Sequence, residues 1–112
     1  MAGYDDGRVA CTDHEIIIRR YNIFTLGTKR INYQSIREVN QVPNRWKWRL
    51  SGSGDFVHWF NWDPGRPHKE TALVIIQGER IRPVITPDDP DRVVAELTAH
   101  RVKVTSGPEA EL

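Results

Sequence analysis

A mainly β chain of about seven short strands, followed by one C-terminal helix, is the fold class this sequence predicts. Three observations carry the prediction. Apolar residues recur with a period of two, or in short β-branched runs, along residues 8–86. Gly, Pro, Asn and Asp interrupt those runs in turn-forming combinations. The period then changes once, at Thr86, beyond which Val93, Val94 and Leu97 fall on one helical stripe. The 112 residues make a single domain by size, and a 38% hydrophobic, 28% charged composition suits one packed core rather than a disordered chain.

In chain order, residues 1–7 are acidic and Gly-containing and are expected to fray. Residues 8–12 and 15–21 read as strands flanking Asp13-His14, a short polar break suited to a tight turn. The second strand holds three consecutive isoleucines, whose branched side chains favour a pleated backbone. Residues 22–26 continue towards Gly27, a natural turn position. A strand over 28–33 follows, with Ile31 and Tyr33 on one side, and another over 36–42 stops at Pro43-Asn44.

Residues 45–50 alternate most cleanly: Trp46, Trp48 and Leu50 share one face, and Arg45, Lys47 and Arg49 the other. Ser51-Gly52-Ser53-Gly54-Asp55 is turn chemistry, so 56–62 would return as the second arm of an antiparallel hairpin. Asp63-Pro64-Gly65-Arg66-Pro67 is a constrained loop. Residues 71–76 and 80–86 flank Gln77-Gly78-Glu79 as a second hairpin, and Pro83, lacking an amide donor, predicts an edge strand or a bulge. Asp89 caps a helix with Pro90 at its first position, and the helix extends through 99–101. The domain is therefore placed at 8–103, with 1–7 a flexible N-terminus and 104–112 a flexible tail.

Charge is distributed by segment. The net charge of +1 hides eight cations against a single anion, Glu38, over residues 19–49, a local +7 that leaves −6 for the rest. Such a split can give one basic side that attracts phosphate or an acidic surface. No apolar run approaches the roughly 18 residues of a membrane-spanning helix, and the N-terminus has no basic-then-apolar leader. A single cysteine, Cys11, excludes an internal disulfide and a cysteine-based zinc site, and points to a reducing cytoplasm.

Three stretches resemble the pleckstrin-homology-like (PH-like) family, in particular its small bacterial members. Thr12-Asp13-His14-Glu15-Ile16-Ile17-Ile18 is similar to that family's acidic turn and following apolar strand. The stretch from Lys29-Arg30-Ile31 through Ile36-Arg37-Glu38-Val39 is similar to its next strand pair. Ile85-Thr86-Pro87-Asp88-Asp89-Pro90-Asp91-Arg92-Val93-Val94-Ala95-Glu96-Leu97 is close to its strand-to-helix junction. The resemblance implies a partly open antiparallel barrel capped at its mouth by the helix, with Val93, Val94 and Leu97 as the plug. Relatives of that fold bind inositol phosphates around the first hairpin. Here that turn, at residues 12–15, is short and acidic, and Arg19 and Arg20, as neighbours in a strand, would point to opposite faces. A headgroup site there is not expected.

The candidate partner-binding residues are Arg37, Arg45, Lys47, Arg49, Trp59 and Trp62. The cations form a basic face. Trp59 and Trp62, an odd number of positions apart, cannot both face inward, so one of them is free for a contact. His14, His58, His68 and His100 match no metal-ligand spacing, and Cys11 reads as a small core residue. No nucleophile elbow, Walker loop or dinucleotide fingerprint is present, so no enzyme, cofactor or metal is expected. These features describe a non-enzymatic cytoplasmic module that binds a protein or peptide, or a second copy of itself through sheet edges. Peripheral contact with the anionic inner face of a membrane through residues 37–49 is the alternative, and single-stranded nucleic-acid binding by the Trp/Arg hairpin a further one.

Overall fold

Sheet pairing joins the short apolar runs into two layers. The computed structural model describes residues 3–21, 27–44, 58–60 and 65–107. Among them are nine strands: β1 (Tyr4–Asp5), β2 (Val9–Cys11), β3 (Glu15–Ile18), β4 (Lys29–Asn32), β5 (Glu38–Pro43), β6 (His58–Phe60), β7 (Thr71–Ile76), β8 (Arg82–Ile85) and β9 (Val104–Ser106). One helix, α1 (Pro90–Ala99), lies between β8 and β9. The first sheet is an antiparallel meander in the order β1-β2-β3-β4; the second has the order β6-β8-β7-β5-β9.

The main core lies where the inward rows of both sheets meet the helix. Ile16 and Ile18 from β3, Ile31 from β4, Val39 from β5, Leu73 and Ile75 from β7 and Ile85 from β8 are all buried there with Val93 and Leu97. α1 touches β1 and β2 of one sheet and β7 and β9 of the other, so it bridges the two layers. Strand β7 is buried on both faces: Leu73 and Ile75 point to the main core, while Ala72, Val74 and Ile76 form a second cluster with Val84. A continuous apolar run is what a doubly covered strand requires.

The helix begins as its sequence dictates. Asp89 accepts a hydrogen bond from the Arg92 amide, and Pro90 occupies the first turn. It ends at Ala99, two residues before the expected limit. Arg101 adopts a left-handed conformation (φ 64°), the Arg101 amide donates to the Thr98 carbonyl, and the Val102 amide donates to the Leu97 carbonyl. That is a Schellman stop, closed by contact of buried Val102 with the core, and it uses arginine where glycine is usual.

Three expectations are corrected. Residues 4–5 and 104–106, assigned to flexible ends, form β1 and β9. Two pairings are parallel, β5 with β9 and β6 with β8, so the strands are not all antiparallel. β8 is an interior strand despite Pro83; its ladder with β7 joins only Leu73 to Ile85 and Val74 to Val84, stopping where the proline has no donor to offer. Residues 45–50, the expected hairpin partner of β6, lie outside the described residues; among those described, β6 pairs with β8. Among the described residues no helix is long and apolar enough to cross a membrane.

Candidate functional site

The meander brings the β1–β2 turn and the β3–β4 connection to one end of the first sheet. In the β2–β3 ladder Val9 lies opposite Ile18, so Arg8 comes beside Arg19, whose amide donates to the Arg8 carbonyl at 2.8 Å. β3 ends at Ile18. Arg19 and Arg20 therefore sit in a turn rather than in a strand, and Arg20 takes a left-handed backbone (φ 54°). The strand argument that sent their side chains to opposite faces does not apply. Arg8, Arg19 and Arg20 instead line one open cleft of about 440 Å³, together with Gly7 and Thr28. Arg19 is held by Asp5, with Nη1 and Nη2 donating to the two carboxylate oxygens at 2.7 and 3.1 Å. The Arg19 guanidinium, and then the Gly7 amide, keep the Asp5 carboxyl below its ordinary range.

Beside this cleft the two sheets are tied by an aromatic contact. The Trp59 indole N–H donates to the Tyr21 carbonyl at 2.7 Å, and the two rings are tilted at 53° with centroids 6.3 Å apart. Lys29 Nζ lies 5.4 Å from the centre of the Tyr21 ring, within cation–π range. Burial, and then the charge of Glu79, raise the Tyr21 phenol above its ordinary value. Trp59 is thus half-buried, and its donor is used within the fold.

Arg37 is exposed, next to the β7–β8 turn. Its amide donates to the Ile76 carbonyl at 2.8 Å, and its guanidinium covers Gly78, where a Cβ would come within 2.6 Å of Arg37 Cζ. Arg37 and Trp59 therefore have different neighbours. Arg45, Lys47, Arg49 and Trp62 lie outside the described residues. Arg8 and Thr28 escaped the sequence reading because segment charge is counted along the chain, whereas the cleft is assembled across it.

The opposite end of the sheet holds a smaller cleft of about 180 Å³, lined by Asp13, His14, Asn32, Tyr33, Gln34 and His100. Tyr33 and His100 stack with centroids 4.6 Å apart, and the Tyr33 hydroxyl donates to the Thr12 carbonyl at 2.8 Å. This is the end of the Thr12–Glu15 turn, and no lysine or arginine is among its described lining residues. Nearby Cys11 is fully buried, and desolvation pushes its thiol up to about 12, far from the thiolate that nucleophilic chemistry needs. Among the described residues no group of three or more His, Cys, Asp and Glu side chains is placed to hold a metal ion.

A third feature is the outer side of β4, which carries no paired strand among the described residues. The Tyr33 amide donates to the His14 carbonyl at 3.1 Å, which sets the phase of the β3–β4 ladder. Lys29 and Ile31 then turn their backbone groups to β3, while those of Arg30 and Asn32 point away from it. β4 is an edge of the described sheet. Its Arg30 side chain is 63% exposed and reaches Glu15 on β3 at 2.6 Å.

No family model, curated protein or solved structure matches this chain.

Proposed function

We propose that the chain is a non-enzymatic, cytoplasmic PH-like binding module that takes an extended segment of a protein partner along β4. The two-sheet architecture with one bridging C-terminal helix is compatible with the partly open barrel of that family. The observation that carries the binding mode is the outward backbone of Arg30, with the amide of Asn32, whose carbonyl accepts from the Ser35 hydroxyl at 2.8 Å, on a strand that is an edge among the described residues, a template to which another strand can be added. Lys29 and Arg30 on that edge, with Arg8, Arg19 and Arg20 beyond its end, favour an acidic segment. A second copy of the chain is the other occupant this geometry admits.

Arg30→Pro tests the reading, because it removes an amide that β3 does not use. Proteins captured from the native cell on the wild-type chain should be retained at least tenfold less by the variant, with its circular dichroism unchanged. Light scattering on the wild-type chain separates a foreign partner from self-association. Retention indifferent to Arg30→Pro would remove strand addition as the mode. Charge-dependent pelleting with anionic vesicles, equal for both chains, would move the function to a membrane surface.

A further inference from the structure

We infer that the edge of β5 covered by β9 is an interface between two copies of this chain, separate from the β4 edge, formed when the segment 102–106 leaves its own β5 and seats on that of the second copy. The seat is specific. Val39, Asn40 and Gln41 pair in parallel with Val104, Thr105 and Ser106, and the Val39 amide donates to the Lys103 carbonyl at 2.8 Å. Thr105 is read twice: its hydroxyl accepts from Nδ2 of fully buried Asn40 at 2.9 Å and donates to Glu38 Oε2 at 2.6 Å. Lys103 Nζ stands 3.7 Å from the other Glu38 oxygen. Val102 is buried in the core, while β9 itself is three residues long and half-buried or exposed throughout. So short a strand, anchored chiefly by polar contacts, belongs to the part of a fold that opens first. A second copy carries the same segment and the same seat, so exchange remakes each of these contacts.

The contact that exchange does not remake is the hinge. Arg101 is left-handed (φ 64°), a conformation that glycine adopts without strain and arginine does not. Its amide donates to the Thr98 carbonyl and that of Val102 to the Leu97 carbonyl, the tight stop that folds the segment back onto its own β5. The His100 amide still donates to Glu96, so regular helical bonding reaches the residue before the hinge. With Arg101 in the ordinary right-handed conformation α1 runs on through 101, the limit expected from its sequence, and carries 102–106 away from its own sheet. Exchange therefore trades a strained stop for a relaxed extension. Its cost is the association of two chains, which makes it dependent on concentration.

Full-length chains carrying Gln41→Cys can be mixed with full-length chains carrying Ser106→Cys, positions paired in the ladder, then concentrated, diluted and oxidised. Native Cys11 is buried. A disulfide-linked heterodimer whose bond maps to 41 and 106 is expected, with a yield that rises with the concentration of the incubation. Arg101→Gly in both chains should lower that yield at least fivefold by relaxing the closed hinge. Arg101→Val should raise it, because a β-branched residue tolerates the left-handed backbone least. Arg30→Pro should leave the yield unchanged, whereas a dimer built on β4 would be lost with it, so failure here and failure of the strand-addition reading are distinguishable. A yield indifferent to Arg101→Gly would overturn the exchange. So would an equal yield from Ser106→Cys mixed with Gln34→Cys, an exposed position on the other sheet, since that reports random collision. No heterodimer from the mixed chains, while one chain carrying both cysteines closes its own disulfide when dilute, would overturn it too.

Discussion

Asp6 ties together the β1–β2 turn, the β1 tyrosine and the entry to α1. One of its oxygens accepts from the Arg8 and Val9 amides at 2.9 and 2.8 Å; the other accepts from the Tyr4 hydroxyl at 2.6 Å and the Asp88 amide at 2.8 Å. Burial alone would raise this carboxyl, but the four donors outweigh it and hold it below its ordinary value. A depressed folded value contributes stability above the unfolded value of about 3.9 and loses it as pH falls through the folded one. Asp6→Asn turns an amide donor towards one pair of these donors. It should cost about 1–3 kcal/mol at neutral pH in urea denaturation, and the gap to wild type should close as pH drops below 4. Nothing in the amino-acid order marks Asp6 apart from Asp5. The same holds for Arg20 and Arg101, whose left-handed backbones occupy positions where propensity would place glycine.

The helix shows how far an element can be read ahead of its structure. Its start was legible because capping is local: Asp89, Pro90 and the acidic first turn lie within a few residues of one another. Its end was not, because a stop at arginine carries no compositional mark. Leu97 is fully buried, and its carbonyl accepts the amide of Val102 that closes the helix. Leu97→Ala should therefore cost about 2–5 kcal/mol, read from the urea midpoint; an unchanged midpoint would contradict the core placement. β8 gives the opposite lesson. Pro83 predicts an edge or a bulge, and the strand lies inside its sheet. The missing donor merely shortens one ladder, and a parallel neighbour, β6, covers the other side.

At the scale of the whole molecule, burial of proton donors sets the alkaline limit. Desolvation pushes the Cys11 thiol up to about 12, and burial raises the phenols of Tyr4, Tyr21 and Tyr33 above their ordinary value. The unfolded chain releases these protons from about pH 8.5–10 while the folded chain retains them. The folded state then binds more protons, and stability falls as pH rises. Urea midpoints should decline steadily from pH 9 to pH 11, and Cys11→Ala, though less stable, should show a shallower initial decline. A flat profile would mean that these groups are not buried in solution.

Sequence alone determined what depends on neighbours along the chain: that 71–76 is a strand, apolar from Ala72 onward, that 77–79 turns, and that a capped helix begins near Pro90. Tertiary structure decided the partners. Which strands lie side by side, the two parallel ladders, the covering of β7 on both faces, and the meeting of Arg8 with Arg19 and Arg20 depend on register between distant segments, which short-range propensity does not encode. The basic cleft belongs to that second class. Its charges come from two turns that only the β2–β3 ladder makes adjacent.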